Sequence, residues 1–161
     1  MNMLIKTQKE IFLLKLVFWL LVGIFVVILS YFVVPVPVSM KQAFFPFAAI
    51  SAIAFFLLGG VLIFLTLKLK VKGTLKKFLI LTGASSAGFL TSVILHNFIY
   101  GLFIYWFGAD FWDKIGLADE PFFFILAIFV CPVVFLVGVV GSVVLFIKKR
   151  KISRRVVIIG G

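Results

Sequence analysis

The sequence predicts an all-α integral membrane protein, an up-down-up-down bundle of four transmembrane helices with both termini in the cytoplasm. The first observation is composition. Of the 161 residues 65% are hydrophobic and only 13% are charged, and the mean hydropathy is +1.34. A soluble domain carries about 25% charged residues. The composition therefore indicates membrane residence, and the length predicts a single membrane domain over residues 1–161.

The second observation is a series of four long apolar runs. They cover residues 11–34, 43–67, 78–107 and 121–147. Each exceeds the roughly 20 residues that a helix rising about 1.5 Å per residue needs to cross a hydrocarbon core about 30 Å thick. Unpaired backbone amides are costly in lipid, and these runs lack the alternation of barrel strands, so we expect helices.

Details of the runs predict local features. The first run is too long for a cleaved signal peptide and is expected to be a retained anchor. Pro46 is expected in the first turn of the second helix, and Pro121 opens the fourth. Pro132 lies near the middle of the fourth run and is expected to bend it, because it frees the carbonyl group of Ile128.

The third observation is charge asymmetry, which predicts the orientation. Two basic residues, Lys41 and Lys114, fall on one side together with four of the five acids, Asp110, Asp113, Asp119 and Glu120. The other basic residues fall at the N-terminus, in the middle loop and in the C-terminal segment. They are Lys6, Lys9, Lys15, Lys68, Lys70, Lys72, Lys76, Lys77, Lys148, Lys149, Arg150, Lys151, Arg154 and Arg155. By the positive-inside rule both termini and the middle loop are cytoplasmic, in a multi-pass protein of the plasma or inner membrane.

Two segments outside the runs have chemical character. The loop GADFWDKIGLADEP, residues 108–121, interleaves acids with aromatic and aliphatic residues. It is expected to lie on the headgroups, with docking to a partner as the alternative. Residues 148–161 are expected to form a basic cytoplasmic tail that ends in a frayed VVIIGG, with a truncated reading frame as the alternative. Its basic residues predict contact with anionic inner-leaflet lipids rather than nucleic acid: Lys148, Lys149, Arg150, Lys151, Arg154 and Arg155.

Small residues predict where the helices pack, because lipid tails supply little hydrophobic drive between helices. In the third run they form the stretch GASSAG, and a shorter set occurs in the fourth run. The predicted packing residues are Gly83, Ala84, Ala87, Gly88, Gly138 and Ser142. The third helix is therefore expected to lie between two neighbours.

The third helix also carries a polar face, expected roughly opposite its small residues. Its members fall within an arc of about 140° around the helix. The candidate residues are Ser85, Ser86, Ser92, His96, Asn97 and Tyr100. Such a face is expected to avoid lipid and to point into the bundle, a water-filled vestibule or a partner subunit.

His96 is the one histidine of the chain. We expect it to be held by hydrogen bonds to Ser92, Asn97, a tyrosine hydroxyl or water. The alternatives are a proton-sensitive or ligand-binding residue, since an imidazole titrates in the physiological range, and a catalytic residue.

The residues do not favour an enzyme. Ser85 and His96 lie on one helix, about 16 Å apart along its axis, so they cannot form a nucleophile and base pair. Ser92 and His96 are one turn apart, but no acid follows to orient the base and no oxyanion donor is identifiable. The runs hold no Asp or Glu that would bind a metal, and nothing indicates a cofactor.

The sequence therefore predicts a non-enzymatic membrane component that acts as an accessory or scaffold subunit. Its expected partners are lipids and either another membrane protein or further copies of itself. The alternative is an oligomeric channel or carrier for a small neutral or weakly polar solute, which would use the polar face of the third helix.

Overall fold

Helices account for the architecture. The computed structural model describes residues 2–159, and the side chains of residues 8–148. The helices are α1 (Asn2–Val33), α2 (Val38–Lys68), α3 (Thr74–Phe107), α4 (Phe111–Lys114), α5 (Pro121–Ile125) and α6 (Cys131–Ile159), and a π-helical segment, Leu126–Val130, joins α5 to α6. No strand occurs in this part of the chain. The all-helical class is confirmed.

Four stretches are long and apolar enough to cross a membrane. They are Gln8–Val33, Val38–Lys68, Thr74–Phe107 and Pro121–Lys148. We call the last the fourth span. These four helices confirm the predicted number of candidate spans and are compatible with a multi-pass membrane protein.

The helices extend beyond the apolar runs. α2 begins at Val38, so Pro46 lies inside the helix and the prediction that it occupies the first turn is wrong. α3 begins at Thr74 and takes up Lys76 and Lys77. Lysine side chains reach toward water from a buried backbone, so a charge at a run's edge does not end the helix.

The C-terminal segment differs from the frayed tail that the sequence predicts. α6 continues to Ile159, so residues 156–159 are helical. Gly160 and Gly161 lie outside the described residues.

Two polar contacts set how α1 lies beside α2. At one end the Lys68 Nζ is 3.0 Å from a carboxylate oxygen of Glu10. At the other end the Tyr31 hydroxyl donates to the backbone carbonyl of Lys41 at 3.2 Å. The start of α1 therefore lies beside the end of α2.

The helix α3 packs between α2 and α6, and α1 packs on α2. α1 reaches the fourth span mainly through large side chains. The ring of Phe25 stacks on that of Phe135 with centroids 4.6 Å apart, and Phe18 meets Phe146 edge to face at 5.5 Å. The backbones of α1 and the fourth span stay apart as a result.

Glycines bring α3 close to α2. A Cβ added to Gly59 would lie 2.6 Å from the Ser86 hydroxyl and 2.7 Å from the Gly83 carbonyl oxygen. A Cβ added to Gly83 would lie 2.7 Å from the carbonyl oxygen of Gly59. Only glycine at both positions allows this approach, which gives close van der Waals contact between the two backbones.

Glycines also bring α3 close to α6. A Cβ added to Gly138 would lie 2.5 Å from the Thr82 hydroxyl oxygen. One added to Gly141 would lie 2.5 Å from the ring of Phe78. α3 thus packs closely against both neighbours, at positions where α2 and α6 carry glycines.

The faces that point away from α3 are apolar and exposed. Examples are Trp19 on α1, Phe64 on α2 and Val144 on α6, each more than half exposed. α3 has the lowest hydropathy and the largest buried share of the four spans, and the fourth span has the highest hydropathy and the smallest buried share. Polarity therefore concentrates in the helix that is covered by its neighbours.

The glycine contact can be tested with two adjacent positions on α2. Replacing Gly59 by alanine is expected to lower the free energy of unfolding by about 1–3 kcal/mol, because the new methyl group overlaps Ser86 and Gly83. Replacing Gly60, where an added Cβ meets no atom within 4 Å, is expected to leave stability unchanged or to raise it, because alanine is the better helix former. Titration of both variants with denaturing detergent measures the difference. Equal effects at the two positions would contradict the contact.

Candidate functional site

The hydroxyl groups of α3 are engaged inside the bundle. The buried Ser86 donates across the interface to the carbonyl oxygen of Phe55 on α2 at 2.5 Å. The buried Ser85 donates to the carbonyl oxygens of Leu81, at 2.8 Å, and Thr82, at 3.1 Å, on its own helix. Neither hydroxyl is left free for a solute.

Ser92 faces the opposite neighbour. Its buried hydroxyl lies near the thiol of Cys131 at the start of α6. One turn away, a Cβ added to Gly88 would lie 3.3 Å from the same sulfur atom. Ser92 and Gly88 thus form one contact with the fourth span.

The small residues and the polar residues of α3 share interfaces rather than lying on opposite sides. Gly83 and Ser86 both face α2, whereas Gly88 and Ser92 both face the fourth span. The expectation of a small strip opposite the polar face is therefore wrong. The reason is that residues three or four apart lie on the same face of a helix. Each interface therefore contains one glycine of α3, which permits close approach, and one serine of α3.

Three more predicted packing residues take different environments. Ala84 is exposed and Ala87 is half-buried, so Ala84 does not occupy a close helix contact within the chain. Ser142 on α6 is fully buried, and its hydroxyl has no hydrogen-bond partner in the structure.

His96 joins the end of α3 to the start of the fourth span. Its Nδ1 lies 3.0 Å from the backbone carbonyl oxygen of Glu120 and 3.4 Å from a carboxylate oxygen of the same residue. Its Nε2 lies 3.3 Å from a carboxylate oxygen of Asp119. The ring of Phe124 lies 5.6 Å away and covers one side. We call His96, Asp119 and Glu120 the histidine cluster.

Glu120 is the centre of this cluster. It is only 5% exposed, and its carboxylate accepts hydrogen bonds from the backbone N–H groups of Phe122 and Phe123, at 2.8 and 2.9 Å. The carboxylate thus caps α5, where the helix dipole favours negative charge. Its own N–H donates to Asp119 at 2.7 Å.

The partners of His96 differ from the expected ones. Ser92 contacts Cys131, and the side-chain amide of Asn97 donates to the carbonyl oxygen of Val93 on its own helix at 2.8 Å. Both ring nitrogens of His96 instead face oxygen acceptors. In the sequence, the two adjacent acidic residues directly before Pro121 are the feature that could have indicated these partners of His96.

The rest of the acidic loop, residues 108–121, folds against α3. Gly108, with a φ of +97°, ends the helix in a conformation that glycine favours. Trp112 is buried; its ring stacks on that of Tyr100 and its indole N–H donates to the Tyr100 carbonyl oxygen at 3.3 Å. Ile115 and Leu117 remain exposed. One face of the loop is thus packed on the protein and the other is free to meet headgroups.

An ion pair forms within this loop. The Lys114 ammonium lies 2.7 Å from a carboxylate oxygen of Asp110 and holds the pKa of that carboxyl below its usual value. Both side chains are exposed, so the pair adds little stability. Within residues 8–148 no group of three or more His, Cys, Asp or Glu side chains is arranged to hold a metal ion.

The predicted lipid-contacting residues fall at the edge of what the structure describes. Lys148 is exposed near the end of the fourth span. The side chains of Lys149, Arg150, Lys151, Arg154 and Arg155 lie outside the described residues.

A π-helical segment interrupts the fourth span directly before Pro132. The Cys131 N–H donates to the carbonyl oxygen of Leu126, five residues back instead of four. The sequence predicts a bend here from the missing N–H of Pro132, and the structure shows one widened turn directly before this residue. A cavity of about 250 Å³ lies beside this turn, between α1 and the fourth span, and Ser85 is on its wall.

The role of His96 can be tested by comparison with the residue next to it. Replacing His96 by leucine removes the donor to Asp119 and Glu120, and hydrogen bonds to charged groups contribute about 1.5–3 kcal/mol. We expect amide hydrogen exchange in residues 119–125 to rise about tenfold or more. Replacing Asn97, which bonds to its own helix, is expected to leave that exchange unchanged. Mass spectrometry of the full chain in lipid nanodiscs measures both. An unchanged segment in the His96 variant contradicts the cluster's role.

Comparisons with known proteins add no family to this geometry. No family model matches the chain, and neither a curated protein nor a solved structure is significantly similar to it.

Proposed function

We propose that the protein is a multi-pass membrane component without catalytic machinery, which acts as an accessory or scaffold subunit through helix packing and lipid contacts. The observation that carries this proposal is the division of polarity. Ser85, Ser86 and Ser92 are engaged inside the bundle, whereas large apolar side chains cover the outer faces. Outer faces of this kind are suited to lipid or to another membrane helix.

The same observation argues against the conduit alternative. The polar residues of α3 do not share one path: Ser86 faces α2, Ser92 faces the fourth span and Asn97 is exposed. The cavity beside Ser85 has walls that are almost entirely apolar. A polar solute that entered it would lose its hydrogen bonds to water without replacement.

The proposal includes an alternating arrangement of the spans, with both termini on the cytoplasmic side. The contact of Glu10 with Lys68 brings the start of α1 to the lysine-rich end of α2, which is expected if both lie at the inner surface. Lysines there and in the C-terminal segment gain about 1 kcal/mol each near an anionic leaflet. The histidine cluster and the acidic loop then lie at the outer surface.

Orientation can be tested with single cysteines. In a Cys131→Ser background we expect Ala118→Cys to react with a membrane-impermeant maleimide on intact cells. Thr74→Cys is expected to react only after the cells are opened. Both positions are exposed and outside the apolar runs, so reactivity reports the side of the membrane. The reverse pattern would overturn the proposed orientation.

The non-transporting role can be tested in vesicles. We expect vesicles that contain the protein to shrink and recover at the rate of protein-free vesicles after a glycerol gradient is applied, as measured by light scattering. The control is the triple variant Ser92→Ala, His96→Leu, Asn97→Leu. A faster recovery with the wild-type chain that this variant abolishes would favour the conduit and sink the scaffold proposal.

A further inference from the structure

We propose that the cavity between α1 and the fourth span is a binding site for one acyl chain of a bilayer lipid. The proposal rests on the membrane placement argued above and names the chemical class that this site takes. It concerns the inside of the bundle, as distinct from the outer faces that any lipid would wet.

The wall of the cavity excludes polar ligands. Aromatic and aliphatic side chains supply nearly all of it, including Phe25 and Phe32 from α1, Phe89 from α3 and Phe135 from α6. The Ser85 hydroxyl on the wall already donates to carbonyl oxygens at 2.8 and 3.1 Å. The proton of this hydroxyl is therefore already used, and a polar group placed here would lose most of its hydrogen bonds to water without replacement.

The thiol on the wall is also engaged. Cys131 contacts the Ser92 hydroxyl and lies against Gly88. The proton of Ser85 is already donated and the thiol packs against α3, so the occupant is recognised mainly by shape and apolar contact.

The cavity exists because of how the helices pack. α1 is held by α2 and the fourth span is held by α3, so the two backbones separate, and the stacked rings of Phe25 and Phe135 bridge them. The π-helical segment contributes Ala127, a small buried residue, where a larger side chain would fill the space. An empty apolar space forfeits dispersion contacts that a flexible chain restores.

The mouth of the cavity opens at an apolar surface. Leu29, Phe32 and Ile128 line the cavity and are also exposed, by 44%, 54% and 36%. A helix of a partner protein, about 10–12 Å wide, is too large for a volume of about 250 Å³. An unbranched hydrocarbon chain is narrow enough to enter, and the bilayer supplies such chains at this surface.

The test uses phosphatidylcholine that carries a diazirine in the middle of one acyl chain. The full-length protein is reconstituted in vesicles that contain a fraction of this lipid, irradiated, digested and mapped by mass spectrometry. We expect labelling of residues 127–135 and of residues 25–33, together with labelling of exposed faces such as the one around Val144.

Two variants close the site in different ways. Ala127→Phe fills the cavity from within, and Ile128→Trp adds bulk at its exposed mouth, where the risk of misfolding is small. Each is expected to reduce labelling of the cavity residues by about fivefold or more. This is the factor that corresponds to weakening acyl-chain binding by about 1 kcal/mol, a typical cost of overpacking. Val144→Phe, which adds a ring to an exposed face of α6, is the matched control and is expected to leave cavity labelling unchanged.

The outcomes separate this inference from the proposed function. Label on exposed faces but none in the cavity, or cavity label that neither variant reduces, would overturn the acyl-chain site and leave the membrane placement intact. Absence of label from all four spans would overturn both.

Discussion

The close approach of α3 to its two neighbours is the constraint on which the rest of the structure depends. Gly59 and Gly83 let α2 and α3 come within backbone contact, and Gly138 does the same for α6. Lipid tails are as apolar as leucine, so burial of apolar area does little to hold such helices together. The glycines instead permit contacts at van der Waals distance and bring the Ser86 hydroxyl within reach of the Phe55 carbonyl oxygen across the interface with α2. The placement of Ser86 and Thr82 follows from this geometry.

The two halves of the bundle are held by different chemistry. Next to the glycine contacts, Ser86 and Thr82 donate to backbone carbonyl oxygens. At the end with the acidic loop, charged and polar side chains connect the helices. Glu120 caps α5, and His96 links Glu120 to α3. The cavity lies between α1 and the fourth span, where neither type of contact operates. Its position is thus a consequence of what binds the other helices.

The sequence predicts the class and the spans well because both depend on composition and length. It also indicates that α3 is special, since GASSAG and the lone histidine stand out from an apolar background. The sequence does not predict which residues of different helices contact each other. Gly59 is one of a Gly-Gly pair on α2, and the sequence does not indicate that Gly59, rather than Gly60, faces α3. The partners of His96 lie 24 residues away, and only the packing of the fourth span brings Glu120 back to it.

The π-helical segment has a consequence for the register of the fourth span. One widened turn adds a residue without adding a full α-helical repeat, so the helix before it is rotated relative to the helix after it. The face that α5 presents to His96 and the face that α6 presents to Gly88 and Thr82 are therefore set independently. A continuous α-helix would tie them together at about 100° per residue. Deletion of one amino acid from Leu126–Val130 would restore the regular α-helical rotation between α5 and α6. One of the two faces would then no longer point at its contacts on α3.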